Sequence, residues 1–370
     1  VKVEPPGGDP ARNTGPFYKD VPDPERSLFW FAFNANKRGI TLNIETADGQ
    51  EMFRRLVKGA DFVIESFDPS YMDSLGLGYG TLRDINPTCI VASITPFGQT
   101  GPYSRHKASD LTLWAMSGYL YLSGDIDRAP VWISIPQAYL NGGAEAAAAC
   151  MIAHWYRQAT GRGQHIDVSI QECLIRLLMN AAVVCDVGHT EPKRVGYSLM
   201  GTKVHFRTGW PCQDGYIGTY VQGGGAAGLV ASTKAWVKWM DEEGMAPDWV
   251  KKMDWAVDYD ASKLTQDVVA HTEQPFVEFF KTKPKAELYE EGLKRGIIVV
   301  PVSTVQDMAQ DSQLAARAFW TKVEHPELGD SLTYCGPFIK SSEAAPEVRR
   351  RAPLIGEHNH EIYCGELGLS

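Results

Sequence analysis

Apolar residues along this chain switch repeatedly between a period of two and a period of about 3.6, and that switching predicts an α/β protein. Residues 39–44 read as a short strand. Residues 49–58 place Met52, Phe53, Leu56 and Val57 on one helical face, and residues 61–64 return as a strand, which completes a βαβ unit. A second buried strand at 88–94 empties into the turn-rich stretch 95–102, at the strand end where open sheets usually gather ligands. An alanine-rich helix is expected over 141–156, stopped by the glycines of 160–163. Residues 165–170 then alternate like a half-buried strand, and 171–184 read as one long apolar helix. Residues 1–8 look like the end of a buried strand entering a turn, so part of a first βα unit is expected upstream. Near the other end, 297–302 reads as a short buried strand and 305–319 as a helix.

The texture changes from about 195 to 300, where Trp210, Trp236, Trp239, Trp249 and Trp255 and the glycines at 223–225 occur. The pattern predicts a domain over 1–190, a smaller one over 195–300, and a return to the first over 301–370. Buried packing is the plainer role for the tryptophans and a turn the plainer role for the glycines, against an aromatic-acid pocket and a mobile lid.

Composition narrows the chemistry. With 370 residues, 44% of them hydrophobic, the chain can bury two cores, and 36 basic against 45 acidic side chains give a net charge of −9. That balance disfavours nucleic acid as a partner. Seven scattered cysteines without a C-x-x-C pair argue against a disulfide framework or zinc site and for a reducing cytoplasm. His358 and His360 lack a third ligand or a helix, so no metal is expected there. No apolar run in the sequence is long enough to span a bilayer.

The most telling stretch is 133–143, expected as a strand that breaks at Pro136 and runs through Gly142 and Gly143 into the alanine-rich helix. It presents Tyr139 at a helix N-terminus, where the dipole and free N–H groups favour negative charge. An aspartate there would suit covalent catalysis; a phenol would not.

The strings VKVEPPGGDPAR, NANKRGITLNIET, DSLGLGY, FGQTGPY, ATGRGQHIDVS and APLIGEHNHEI, in this order and spacing, resemble the class III CoA-transferases, the formyl-CoA transferase and carnitine CoA-transferase family. The resemblance covers essentially the whole chain. It implies a Rossmann-like large domain built from both chain ends, an inserted small α+β domain, and an interlocked ring-like dimer. It also implies a reaction in which an aspartate attacks an acyl-CoA thioester, giving a mixed anhydride, then holds CoA as an enzyme thioester. Aligned through the preceding proline and the following glycines, that aspartate falls on Tyr139, whose phenol, with a pKa near ~10, cannot carry CoA. Glu145 is rotated off the same helix face. Asp110 matches a second family aspartate, for which a capping role is the plainer reading. The racemase branch of the family pairs a histidine with the aspartate, and Ser109 stands at the histidine position.

The phosphate anchors also depart from the family pattern: Ser74 stands where relatives place an arginine, and no arginine follows Glu4. Asn36, Lys37, Arg38, Ser66, Phe67 and Lys107 remain at positions resembling the CoA-binding surface. The resemblance therefore implies the non-nucleophilic subunit of a two-subunit enzyme, similar to the benzylsuccinate-type CoA-transferases that use succinyl-CoA. Its partner would be a paralogous chain bearing the aspartate. The alternatives are a homodimeric acyl-CoA-binding enzyme using Tyr139 as an acid or oxyanion ligand, and a CoA-ester binding or regulatory protein.

Overall fold

The structure, a computed structural model, describes residues 1–196 and 204–369. In chain order the first elements are β1 (Lys2–Glu4), α1 (Leu28–Asn34), β2 (Gly39–Thr41), α2 (Ala47–Lys58), β3 (Phe62–Glu65), α3 (Tyr71–Ser74), α4 (Tyr79–Ile85) and β4 (Ile90–Thr95). There follow α5 (Asp110–Met116), α6 (Ala138–Thr160), β5 (His165–Ser169), α7 (Ile170–Arg176) and α8 (Met179–Gly188). Then come β6 (Gly209–Cys212), β7 (Gly215–Thr219), α9 (Ala227–Glu242), α10 (Asp248–Lys252), α11 (Gln266–Phe280), α12 (Lys285–Arg295) and β8 (Val299–Pro301). After these come α13 (Val305–Ala309), α14 (Ser312–Ala316), β9 (Trp320–His325) and β10 (Asp330–Cys335), and a last helical turn spans His360–Glu366.

The chain divides into two compact units. One holds residues 1–106, 142–170 and 305–370, the other 107–141 and 171–304. Segments 107–141 and 171–190, grouped by sequence pattern with the large domain, thus cluster with the smaller one, and one unit boundary falls inside α6.

In the first unit β3, β4 and β5 form a parallel sheet, and β1 pairs in parallel with β2. The apolar face of α2 lies over it through Val57, which joins Val63, Leu82, Cys89 and Val91 in one cluster. Thr46 starts α2 by accepting the Gly49 N–H at 3.1 Å. The glycines after α6 have separate roles. Gly161 ends the helix at φ +71°, donating to the Arg157 carbonyl, while an added Cβ on Gly163 would lie 2.0 Å from the Cys89 carbonyl oxygen. Gly163→Ala is expected to cost about 1–3 kcal/mol by forcing β4 and the β5 entrance apart, visible as a lower urea midpoint.

The strings at the two chain ends form one buried joint. Arg12, fully buried, takes both oxygens of buried Glu4 at 2.7 and 2.8 Å, bonds Glu25 at 2.8 Å and the Pro353 carbonyl at 2.9 Å, and lies over the Trp30 ring. From the other end, the His358 Nδ1 accepts the Gly39 N–H and Asn359 accepts the Thr41 N–H. His358 therefore pins the C-terminal segment to β2.

In the second unit β6, β7 and β8 form an antiparallel sheet packed by α9, α11 and α12, an α+β arrangement. Trp210, Trp236, Trp239 and Trp255 are all in its core, and Trp236 stacks on Trp239. An added Cβ on Gly223 would meet the Trp255 carbonyl at 2.1 Å, and Gly224 donates to that same oxygen. These glycines allow a backbone crossing.

Three expected elements come out differently. The helix over 171–184 is broken at Leu177–Leu178, and that over 305–319 is interrupted where Asp311 turns to cap α14 through the Leu314 N–H. The strand expected from residue 133 to the break at Pro136 does not form, and past the proline the Gln137 N–H bonds a side chain, Asp110, instead of a neighbouring strand.

Candidate functional site

Tyr139 is the second residue of α6, and what surrounds it is built by one buried carboxylate. Ser109 caps α5 in a reciprocal box with Thr112, which sets Asp110 at the head of that helix. The Asp110 Oδ1 accepts the N–H groups of Gln137 at 2.8 Å and Ala138 at 2.7 Å, and its Oδ2 accepts the Trp132 indole N–H at 2.8 Å. Asp110 is only 7% exposed. It thus heads α5 and caps α6 at once, and it supplies the negative charge that the α6 N-terminus attracts.

Beside this cap the Tyr139 hydroxyl donates to the Ala108 carbonyl at 3.1 Å, with the side chain 45% exposed. Partial burial, followed by the Asp110 charge, raises its pKa above the ordinary phenol value. At neutral pH Tyr139 is a neutral hydrogen-bond donor. It is not a phenolate.

Capping was expected of Asp110 at the helix it starts; Ser109 caps that helix, and Asp110 caps α6 instead. Its tie to Trp132, 22 positions away, was not legible, since no spacing rule links a helix cap to an indole in a distant loop. Ser109, on the same turn, spends its hydroxyl on Thr112.

The remaining expected site residues fall into separate places. Asn36, Lys37 and Arg38 form the turn from α1 into β2. Asn36, at φ +67°, accepts the Arg349 N–H at 2.7 Å and donates to the Glu347 carbonyl. Lys37 is an exposed residue, but its ammonium bonds the Phe33 carbonyl and Asn34 Oδ1; desolvation of that group, with Lys2 nearby, lowers its pKa. Arg38 is held by Glu366 and by Glu361, and those bonds raise its pKa.

Ser66 and Phe67 follow β3, where the Phe67 N–H bonds Glu65 and its ring packs on Tyr71 at 4.9 Å. A cavity of about 140 Å³ next to them is lined by Glu65, Asp68 and Asp73 together with Tyr79, Ser93 and His165. Three acids make it unfavourable to phosphate. Ser74 donates to the Tyr71 carbonyl at 2.7 Å. The 95–102 loop is pinned by the Gln99 N–H, which both Asp167 oxygens accept at 3.0 Å. Lys107 lies in the second unit with Tyr139, one residue from the Ala108 carbonyl. Tyr139, Lys107 and Asp110 are therefore brought together within one unit, while Asn36 to Arg38, Ser66 and Phe67 belong to the other.

Among the described residues no cluster of histidine, cysteine and carboxylate side chains is arranged to hold a metal, and no helix is long and apolar enough to cross a membrane.

Comparison with known proteins gives the class. The profile of CoA-transferase family III matches residues 1–359, and the chain belongs to that family. It is 36% identical over 370 residues to the succinyl-CoA:(R)-benzylsuccinate CoA-transferase subunit BbsE of Thauera aromatica, covering 99% of this chain and 87% of the relative. It is 32% identical to a formyl-CoA:oxalate CoA-transferase of Streptomyces avermitilis, covering 100% of this chain and 88% of the relative. Among solved structures, a CAIB/BAIF family protein from Brucella suis superimposes with a TM-score of 0.83 at 30% identity, covering 98% of this chain and 90% of that one. CoA-transferases take CoA thioesters as substrates.

Proposed function

We propose that this chain is the non-nucleophilic subunit of a heteromeric CoA-transferase, moving CoA from an acyl-CoA such as succinyl-CoA to a carboxylic acid. A paralogous partner supplies the aspartate. The observation that carries this reading is Tyr139: a neutral phenol bonded to the Ala108 carbonyl, at a helix N-terminus whose charge Asp110 already satisfies. No acyl group on this site can receive CoA. The likeness to a benzylsuccinate CoA-transferase subunit supports both the pairing and the succinyl-CoA donor. In this reading the two chains wind through one another as an interlocked, ring-like pair with Rossmann-like large domains, so the partner needs this chain in order to fold around it. The pair works in the cytoplasm.

CoA contact by Asn36, Lys37, Arg38, Ser66, Phe67 and Lys107 is secondary to the partner's site, because Arg38 is already committed to two glutamates. Replacing both, Glu361→Gln with Glu366→Gln, is expected to free the guanidinium and tighten CoA binding to the isolated chain roughly three- to tenfold by calorimetry. Adding Arg38→Ala should cancel the gain; no gain in the double variant would remove Arg38 from the CoA surface.

The test of the main reading is reconstitution. Transfer activity should appear only when this chain is combined with an aspartate-bearing paralogue, and it should vanish when that aspartate, not Tyr139, is replaced.

A further inference from the structure

Away from Tyr139, the cavity beside β3 and β4 has a chemistry that CoA transfer does not use. It is lined from the C-terminal halves of these two parallel strands, the sheet edge at which open α/β folds take ligands. All of its lining belongs to the first unit. Its floor is apolar and buried, made by Val63, Met72, Leu77, Leu82 and Val91. Its wall is polar. Ser93, 4% exposed, shares a 2.9 Å hydrogen bond with His165 Nε2, and the His165 ring stacks on Tyr79 at 5.4 Å. Glu65 gives one oxygen to the Phe67 N–H and keeps the other as an acceptor, and Asp68 and Asp73, both exposed, complete the acidic part of the lining. Gln99 is fixed through its own N–H, which Asp167 accepts, while its side-chain nitrogen is buried in this lining without a hydrogen-bond partner. Buried amide donors are normally paired, so this one calls for an acceptor.

Three requirements fix the class of ligand. The Gln99 nitrogen needs an acceptor, which no ammonium or guanidinium supplies. The carboxylates of Glu65, Asp68 and Asp73 need a donor and repel an anion, and among the described residues no lysine or arginine lines the cavity to offset them. The apolar floor needs a hydrocarbon face. A hydroxyl both donates and accepts, so a ring that carries several hydroxyls around a C–H face meets all three. Size agrees: the cavity holds about 140 Å³, close to the ~150 Å³ that accommodates one benzene ring. One sugar ring fits within it, and a whole nucleotide does not.

We infer that this cavity takes the neutral, hydroxylated ring of a sugar, with hydroxyls accepting from Gln99 and donating to Glu65 and Asp73. The sugar is free, or it is the ribose of an unphosphorylated nucleoside. CoA, whose ribose carries a 3′-phosphate, is not this ligand. The inference therefore goes beyond the CoA-transfer reading and fails or holds independently of it.

The test is binding to the full wild-type chain by calorimetry and saturation-transfer NMR, with D-ribose and adenosine as probes. At least one of them should bind with a Kd on the order of 1 mM, the scale of about ten well-placed atoms. Ribose binding as tightly as adenosine identifies a free sugar, and tighter adenosine binding identifies a nucleoside. Removing the hydroxyls, with tetrahydrofurfuryl alcohol for ribose or 2′,3′-dideoxyadenosine for adenosine, should weaken binding at least about tenfold, and adenosine 3′-phosphate should bind at least about tenfold more weakly than adenosine. Gln99→Leu, checked for folding by circular dichroism, should weaken sugar binding about three- to tenfold. Should that variant not fold, the comparisons on the wild-type chain still decide. Absence of binding by both probes, undiminished binding of the compounds without hydroxyls or with the phosphate, tighter binding of methylammonium than of either sugar, or a folded Gln99→Leu variant of unchanged affinity would each overturn the inference.

Discussion

Assayed alone with an acyl-CoA donor and a carboxylate acceptor, this chain is expected to show no CoA exchange, and Tyr139→Asp is expected not to create it. The chemistry requires an acyl carrier. A carboxylate attacks the thioester carbonyl and CoA leaves as thiolate, giving a mixed anhydride; the thiolate then attacks the enzyme's own carbonyl, forming a second thioester and releasing the donor acid as its carboxylate. The Tyr139 oxygen is bonded to an aromatic ring, so at most it gives an aryl ester with no enzyme carbonyl for CoA to attack. Its pKa lies above the ordinary phenol value, through burial and the neighbouring Asp110 charge, so little nucleophilic phenolate is present at neutral pH to form even that ester.

An aspartate at 139 would restore the carbon skeleton but not the environment. Two carboxylates would share the head of one helix, and repulsion from Asp110 would raise the pKa of the newcomer. The acids lining the cavity beside Ser66 and Phe67 would still discourage the CoA phosphates. In the reconstituted heteromer, by contrast, replacing the paralogue's aspartate by alanine should lower kcat by at least ~10³-fold, the scale of losing a nucleophile. Tyr139→Phe in this chain should lower it far less. A coupled assay with each combination of wild-type and variant subunits checks both statements. Substantial exchange by the homomeric Tyr139→Asp variant would mean that the site had only been disarmed.

Asp110→Ala should be the most damaging single substitution near this site for stability, at about 3 kcal/mol. The wild-type carboxylate accepts from the Gln137 and Ala138 N–H groups and the Trp132 indole, and Ala138 is fully buried. Alanine would leave all three donors without an acceptor at the start of α6. Asp110→Asn keeps one carbonyl oxygen for the two backbone donors but turns an amino group toward the Trp132 N–H, so about half the loss is expected. Urea unfolding followed by tryptophan fluorescence gives the magnitudes. Equal, near-zero changes in both variants would show that water replaces the cap.

Much of the fold was legible because its signals are local. The α2 stripe, the β3, β4 and β5 patterns and the glycine stop after α6 each depend on residues within a few positions of one another. What was not legible depends on distant partners. The stretch before Pro136 has the composition of a strand, but it pairs with no neighbouring strand, and the Gln137 N–H after it goes to Asp110. The α7–α8 break at Leu177–Leu178 left no mark in an unbroken apolar run, and the Asp311 cap inside an expected helix was a local signal overridden by periodicity. At the site, a capping role for Asp110 was readable from its place at a helix start, but Ser109 caps that helix and Asp110 caps the distant α6. The Trp132 bond was not readable, nor was the commitment of Arg38 to Glu361 and Glu366, 323 and 328 positions away. The end strings that carried the family resemblance hold the Arg12–Glu4 joint and the His358 and Asn359 ties.

The most direct measurement is intact-subunit mass spectrometry of the reconstituted enzyme after brief incubation with the acyl-CoA donor and acid quench. CoA should be found bound as a thioester to the aspartate-bearing paralogue, with this chain unmodified. A CoA thioester on this chain would contradict the assignment.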